Sequence, residues 1–285
     1  MSSQASLVST YQAQGRYARR FQQLQAEGRG AFIPFTLLGW PTLSHCQTIL
    51  RTLVESQPAA LELGLPFSDP IADGALIQQA VGETLATGFK IHQAFELIAY
   101  ARRLDANVPI GLLVYYNTVL AQGGEAFFAQ AKTAGVDAVL IADLPPEAAE
   151  EVAPFARAAG IELIFIVSPL TTTERLTAVC QVAGAFLYVV SRLGITGTES
   201  RYDPNLPQLL TAWKQQTALP LCVGFGISKP EHSQRMLELG ADGTITGSQI
   251  LAECQASLQT DPTGNTLAKD VGAYLHTMIQ AHSRL

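Results

Sequence analysis

Charged residues are scarce in this chain of 285 residues: they make up 15% of it, and 24 Asp and Glu outnumber 18 Lys and Arg. A net charge of −6 without a basic stripe disfavours nucleic-acid binding and means that a phosphate ligand would need a local site. No apolar run approaches the roughly 20 residues of a membrane helix, and the polar N-terminus lacks the apolar core of a signal peptide. We therefore expect a cytoplasmic protein that binds neither membranes nor nucleic acid.

Cysteine and histidine are too few and too scattered to form a recognisable framework. The four cysteines, Cys46, Cys180, Cys222 and Cys254, include no CxxC pair, and the five histidines include no HExxH motif. Single cysteines in apolar surroundings usually pack as small hydrophobic residues. Nothing in the pattern requires an oxidising compartment or predicts a metal site.

Eight short apolar segments recur along the chain, each rich in Val, Ile, Leu or aromatic residues. They are residues 31–38, 60–65, 110–116, 138–143, 162–167, 185–190, 221–225 and 243–247. Such runs are typical of strands buried on both faces, and helical patterns lie between them. The alternation predicts one (β/α)₈ TIM barrel domain over residues 1–285, with residues 1–15 as a flexible extension. A doubly wound open sheet is the alternative.

An extra helix and two long connections complete the predicted barrel. Residues 16–28 are amphipathic, and we expect them to form a helix that closes the bottom of the barrel. The connections at 66–109 and 191–220 follow the second and sixth strands. Both begin at the carboxyl ends of strands, where barrel enzymes place their chemistry.

The second strand carries a carboxylate on its inner face. Leu61, Leu63 and Leu65 alternate with Glu62 and Gly64, so Glu62 should point into the barrel while the leucines meet the helices. A buried carboxylate without a cation has a raised pKa, which suits proton transfer near neutral pH. The alternative is a structural Glu paired with a cation.

The loop after this strand, PFSDPIADG (66–74), adds Asp69 and Asp73. Aspartates in turns commonly bond to their own backbone, which is the structural alternative for either one. Two aspartates above a barrel mouth beside an inward Glu form a carboxylate cluster of the kind that acid–base catalysis uses.

Three glycine-containing turns follow the last three predicted strands, at 194–197, 224–228 and 246–248. Glycine lets backbone amides approach a phosphate, and amides at a helix N-terminus favour an anion. Ser228 and Ser248 could cap helices there, and Ser248 could also donate its hydroxyl. The residues thus predict a barrel enzyme that acts on a small phosphate ester by acid–base catalysis.

Seven segments resemble tryptophan synthase alpha chains, in order from about residue 30 to residue 252. The most specific is LELGLPFSDPIADG (61–74); the others are PFTLLG (34–39), GLLVYYN (111–117), IADLPPEAAE (141–150), VVSRLGITG (189–197), GFGIS (224–228) and TGSQI (246–250). GFGIS and TGS occur in several phosphate-binding barrels.

The resemblance implies a role for each matching residue. Glu62 matches a proton-shuttling glutamate, Asp73 an aspartate that holds the indole N–H, and Tyr188 a tyrosine near the reacting centre. Thr196 matches a threonine that closes over Asp73.

The phosphate-binding positions are Gly197, Gly226, Gly247 and Ser248. The indole pocket is formed by Phe35, Ile77, Leu113, Leu140 and Phe225, whose alternative role is core packing. Pro66 and Asp69 belong to a loop that faces the beta chain.

The implied function is a lyase that cleaves indole-3-glycerol phosphate to indole and glyceraldehyde 3-phosphate in tryptophan biosynthesis. No cofactor is expected, and the implied partner is a beta chain in a heterotetramer. One alternative is a free-standing lyase that releases indole, and another is a catalytically weak allosteric subunit. A barrel isomerase is disfavoured by the 61–74 segment.

Three positions depart from the family pattern. Trp40 stands where an Asp is usual, in a loop expected to be exposed, where it is either an interface anchor or the sign of a rebuilt contact. Leu193 replaces a small residue, and the segment TGTESRYDP (196–204) lacks the usual Ala-Arg. The long glycine-containing loop after the sixth strand is expected to be mobile in the isolated chain.

Overall fold

A closed barrel of eight parallel strands forms the centre of the molecule. The computed structural model describes residues 15–191 and 202–283, and its strands pair in the order β1 to β8 with β8 returning to β1. The strands are β1 Ala31–Leu37, β2 Leu61–Gly64, β3 Ile110–Val114, β4 Ala138–Ile141, β5 Glu162–Val167, β6 Leu187–Val190, β7 Leu221–Gly224 and β8 Gly243–Thr246. All eight lie within the predicted segments, so the TIM barrel is confirmed and the open sheet is wrong.

Helices cover the outside of the barrel, and among the described residues none is long and apolar enough to cross a bilayer. They are α1 Arg16–Ala26, α2 Leu43–Glu55, α3 Ala75–Ala86, α4 Ile91–Leu104, α5 Tyr116–Gln122, α6 Gly124–Ala134, α7 Ala153–Ala159, α8 Thr173–Val182, α9 Leu206–Lys214, α10 Pro230–Glu238, α11 Ser248–Thr260 and α12 Leu267–Gln280. A 3₁₀ helix, Pro146–Glu151, precedes α7. Gly135 ends α6 in the left-handed region at φ 101°, as its position in the pattern predicts.

Successive side chains of each strand point alternately outward to the helices and inward to the barrel, and this separates two hydrophobic cores. The outward Leu61 and Leu63 pack in the large core between strands and helices, whereas inward side chains such as Leu140 and Tyr188 form a second cluster inside the barrel. Glu62 faces inward, as its alternation with the leucines predicts.

Helix α1 closes the amino end of the barrel, which confirms its predicted place. Arg16 Nη1 lies 2.7 Å from Asp137 Oδ1, and Arg102 Nη2 lies 2.7 Å from Asp137 Oδ2. Asp137 is 8% exposed, so this buried carboxylate has a guanidinium partner on each of its two oxygens. Tyr17 follows Arg16 and is buried inside the barrel.

Two expectations for individual residues are wrong. Ser228 does not cap α10, because Lys229 is the N-cap residue and the Ser228 hydroxyl lies 3.3 Å from His232 Nδ1. Trp40 is no interface anchor: it is 3% exposed, and its Nε1–H donates to Glu83 Oε2 at 2.8 Å. The loop after β1 folds back onto α3, and this fits a rebuilt contact.

Several predicted features lie outside the described residues. They are the extension up to residue 14, Leu193, Thr196, Gly197 and the loop that contains the last three.

Candidate active site

A cavity of about 580 Å³ opens at the carboxyl ends of the strands. Its lining includes all five residues of the predicted apolar slot, Phe35, Ile77, Leu113, Leu140 and Phe225. It also includes the predicted catalytic residues Glu62, Asp73 and Tyr188, and three of the predicted phosphate-binding residues, Gly226, Gly247 and Ser248. Residues distant in sequence thus meet around one space that suits a small, largely apolar ligand.

Glu62 is a buried carboxylic acid. It is 4% exposed, and its Oε1 has no hydrogen-bond partner among the described residues. Burial, and then the charge of Asp73, raise its pKa from 4.5 to about 8. No described cation pairs with this carboxyl group, which leaves the structural alternative without support. Glu62 can therefore hold a proton at neutral pH and release it within the cavity.

Asp73 occupies the loop between β2 and α3, and a tyrosine holds it there. The hydroxyl of Tyr115 donates to Asp73 Oδ2 at 3.1 Å and accepts from the Ala72 N–H at 3.0 Å. Phe67 stacks on the Tyr115 ring with centroids 4.9 Å apart. Burial raises the pKa of Asp73 to about 6, while the bond from Tyr115 opposes this rise. Between about pH 6 and pH 8, Asp73 is therefore largely ionised while Glu62 is largely protonated.

The sequence did not predict Tyr115, which holds Asp73 in the candidate site. It follows β3 directly, at the end of a barrel strand where catalytic groups are expected. That position in the VYYN segment was the available signal, but the bond to Asp73 depends on the path of another loop.

Tyr188 lies on the inner face of β6 and is 8% exposed. A Cβ atom on Gly224 would lie 2.2 Å from the Tyr188 hydroxyl oxygen, so the missing side chain on β7 makes room for the phenol. Burial, and then the charges of Glu62 and Asp73, raise the pKa of Tyr188 well above its usual value. The hydroxyl is thus a neutral donor close to both carboxyl groups.

Backbone from the residues that follow β7 and β8 forms another part of the cavity wall. Phe225 and Gly226 have left-handed φ values of 68° and 75°, and the Ser191 hydroxyl donates to the Phe225 carbonyl at 3.1 Å. A left-handed Phe costs about 1–3 kcal/mol, a strain that clusters at functional sites.

The first turn of α11 presents its free amides in this part of the cavity wall. Ser248 begins the helix after Gly247, and the first amide bonded back to Gly247 is that of Ile250, at 2.9 Å. The earlier amides remain available for an anion. No Lys or Arg lines the cavity within the described parts of the chain.

The comparisons with known proteins agree with this geometry. A family model described as tryptophan synthase alpha chain matches residues 21–278. The chain belongs to the tryptophan synthase alpha chain family.

The relatives of this alpha chain are similar over most of their length. The alpha chain of Shewanella baltica is 45% identical over 240 residues, covering 83% of this chain and 87% of its own. The alpha subunit structure from Legionella pneumophila has a TM-score of 0.83 at 32% identity, covering 94% and 98%. A structure of the tryptophan synthase α2β2 complex of Pyrococcus furiosus has a TM-score of 0.80 at 34% identity, covering 89% and 99%. The alpha chain is accordingly a lyase of tryptophan biosynthesis.

Pro66 and Asp69 of this alpha chain lie outside the cavity lining, in the loop that leads to Asp73. Asp69 is exposed and accepts from the Ser68 hydroxyl at 2.7 Å. Ile71, between Asp69 and Asp73, is 74% exposed. The loop therefore presents one side to the cavity and an apolar side chain to the outside.

Proposed function

We propose that this alpha chain cleaves indole-3-glycerol phosphate to indole and glyceraldehyde 3-phosphate, as a single barrel domain acting in the cytoplasm. The observation that carries the proposal is the buried Glu62, whose Oε1 has no hydrogen-bond partner among the described residues, in one apolar cavity with Asp73. Backbone amides in the same cavity suit a phosphate. Glu62 and Asp73 supply the proton donor, the base and the negative charge that this cleavage needs.

Asp73 would orient and polarise the indole ring. Its carboxylate accepts the indole N–H and stabilises the positive charge that develops when C3 is protonated. Tyr115 supports this role, because its hydroxyl bond to Asp73 Oδ2 fixes the carboxylate and favours the ionised form. The cationic ring is then the electron sink for cleavage of the bond between C3 and the side chain.

Glu62 would carry the proton through a closed cycle. Protonated Glu62 donates to indole C3, and the resulting carboxylate removes the proton of the side-chain hydroxyl on the carbon attached to C3. The electrons of that O–H bond form the aldehyde, the carbon–carbon bond breaks, and its electron pair restores the neutral indole. Glu62 ends protonated, so no net proton is gained or lost.

The substrate phosphate would bind at the turns of Gly226, Gly247 and Ser248. These residues line the same cavity as the carboxyl groups, and α11 directs the positive end of its dipole there. Gly197 and Thr196 keep their proposed roles in phosphate binding and in closure over Asp73.

A beta chain is the proposed partner, in a heterotetramer like the α2β2 complex of Pyrococcus furiosus. Ile71, Leu120 and Leu170 are 74%, 54% and 73% exposed and follow β2, β3 and β5, so they lie on the face that carries the cavity mouth. Exposed apolar side chains grouped on one face favour a protein contact there. This observation favours an alpha subunit over a free-standing lyase.

The test is indole release by Glu62→Gln and Asp73→Asn variants. We expect each to lower turnover by about 10²-fold or more, since each removes a proton donor or a charge at the reacting centre. Circular dichroism would show that both variants stay folded, and Asp69→Asn is the matched control because Asp69 lies outside the cavity lining. Turnover within tenfold of the parent in either variant contradicts the role assigned to that residue. A parent chain that itself releases indole no faster than these variants would leave a catalytically weak subunit as the better hypothesis.

A further inference from the structure

The inner face of β3 has a gap that a residue from outside the barrel fills. Gly111 faces inward on β3, and a Cβ atom there would lie 2.7 Å from the hydroxyl oxygen of Tyr17. Tyr17 belongs to α1, yet it is 1% exposed and packs among inward residues of the strands such as Ile164. Its phenol therefore occupies space that a side chain of β3 would otherwise fill.

Tyr17 lies one layer below the cavity. The inner cluster to which it belongs also contains Leu140, Tyr188 and Ile245, and these three line the cavity. Gly111 is the register partner of Glu62 in the pairing of β2 with β3. The Tyr17 hydroxyl thus touches the strand position adjacent to Glu62.

The surroundings hold Tyr17 rigidly in this place. The neighbouring Arg16 bonds to Asp137 and donates from Nε to the Ala106 carbonyl at 2.8 Å. The Tyr17 ring lies 5.7 Å from the ring of Phe186 and 6.5 Å from that of Phe21. Helix α1 is therefore anchored by charge at its start and by aromatic packing along its inner side.

We propose that Tyr17 is a positioning residue for the lyase site: its ring closes the barrel beneath Glu62 and keeps water from reaching that carboxyl group from below. This inference rests on the proposed function, in which Glu62 is the proton donor. It assigns α1 a part in catalysis, although α1 contributes no residue to the cavity lining.

Electrostatics agrees with this placement. The charge of Glu62 is among the causes that raise the pKa of Tyr17, after burial and Asp137. The titratable groups near Glu62 are Asp73 from the loop, Tyr188 from β6, Cys222 from β7 and Tyr17 from α1. Burial is the largest cause of the raised pKa of Glu62, so admitting water from below should lower that pKa.

The experiment follows the carboxyl band of Glu62 by infrared spectroscopy as the pH is raised, in the full-length chain. The band is identified by its loss in Glu62→Gln. The pH at which half of this band is lost is the titration midpoint of Glu62, about 8 in the parent. We expect this midpoint to fall by about one pH unit or more in Tyr17→Ala, because water then solvates the carboxylate. Tyr17→Phe keeps the ring and should keep the midpoint. Leu24→Ala is the matched control, since Leu24 is buried on the same helix but belongs to a separate cluster from Tyr17, and it should also keep the midpoint.

A second pair of variants tests the contact if Tyr17→Ala does not fold. Gly111→Ala places a methyl group 2.7 Å from the hydroxyl oxygen and must displace the ring, so it should lower the midpoint. Combining Gly111→Ala with Tyr17→Phe removes the clashing oxygen and should restore the parental value.

Three results would overturn the proposal: an unchanged midpoint in the folded Tyr17→Ala or Gly111→Ala variant, an equal shift in Leu24→Ala, or no restoration in the double variant. The infrared midpoint needs no turnover. A midpoint that shifts as expected in a chain without lyase activity would therefore count against the proposed function alone.

Discussion

Glu62 and Asp73 are carboxyl groups of similar chemistry that their surroundings hold in different states. Burial is the largest cause that raises the pKa of both, Glu62 to about 8 and Asp73 to about 6, and among the described residues only Asp73 has a hydroxyl donor that opposes the rise. The state in which Glu62 is protonated and Asp73 is ionised is therefore most populated at pH values between these two pKa values. This is the state that the proposed proton cycle starts from.

The dependence of kcat/KM on pH should accordingly be bell-shaped. We expect activity to fall below about pH 6, where Asp73 is protonated, and above about pH 8, where Glu62 is ionised. Tyr115→Phe removes the bond that lowers the pKa of Asp73, so its acid limb should move to higher pH. Tyr116→Phe is the neighbouring control, because its hydroxyl bonds to Glu151 instead. A parental acid limb in Tyr115→Phe would contradict the assignment of that limb to Asp73.

The same burial that prepares Glu62 for catalysis should cost stability. The folded pKa, about 8, exceeds the ordinary 4.5, so the folded state binds the proton more tightly. The parent then loses stability relative to Glu62→Gln as the pH rises from 4.5 to 8, by a few kcal/mol in all, and the difference stays constant above that range. Urea unfolding of both proteins at pH 5 and pH 9 measures this difference. A difference that does not grow between these pH values would count against a buried, partnerless Glu62.

The sequence alone predicted the direction of side chains that alternate along a strand. Glu62 alternates with buried leucines, and period-two geometry suffices to place it in the barrel. It could not predict the bond between Tyr115 and Asp73 or the burial of Trp40. Both depend on loop paths, which are determined by contacts with distant elements such as α3.

At the scale of elements, a buried chain of hydrogen bonds ties the last helix to the barrel. His282, after α12, donates from Nδ1 to the Met278 carbonyl at 2.7 Å, since a carbonyl can only accept. Its Nε2 lies 2.8 Å from the Thr244 hydroxyl on β8, which lies 3.0 Å from the Ser233 hydroxyl on α10. These bonds fit a neutral imidazole, and burial lowers the pKa of His282 to about 4.

These hydrogen bonds of neutral His282 should make the free energy of unfolding decrease in mild acid. The folded pKa of about 4 lies below the ordinary 6.5, so the contribution of His282 is complete above pH 6.5 and is lost as the pH falls from 6.5 to 4. The loss is on the order of 3 kcal/mol. His282→Gln keeps an acceptor for Thr244 but does not titrate. Urea unfolding from pH 4 to 8 should show the stabilities of the two proteins converging as the pH falls, whereas a constant gap would contradict the assignment.

The elements themselves were largely predictable. Continuous apolar runs predict buried strands, and their regular alternation with helical patterns predicts a closed parallel barrel. The short α5 and the 3₁₀ helix Pro146–Glu151 have too few turns to show a periodicity, and the pattern did not separate them from the loops.

At the scale of the whole molecule, the three most exposed large apolar side chains among the described residues, Ile71, Leu170 and Leu120, follow the carboxyl ends of barrel strands. Ile71 is 74% exposed two residues before Asp73, and Leu170 is 73% exposed beyond β5. A partner that covers this face would press on the loop that positions Asp73 and would help to exclude water from the cavity. Contact with a beta chain would in this way favour the catalytically competent arrangement.

We therefore expect the isolated chain to be a slow lyase and a cognate beta chain to accelerate it at least tenfold. A differential affinity of a few kcal/mol for the competent state gives an increase of about 10- to 100-fold. Steady-state indole release, measured alone and with saturating beta chain, provides the comparison. Leu170→Ser removes an exposed apolar contact that lies outside the cavity lining, and it should weaken the acceleration while leaving the slow rate unchanged. Fast turnover that no beta chain alters would instead identify a free-standing lyase, because the face around Asp73 would then already be in its active arrangement.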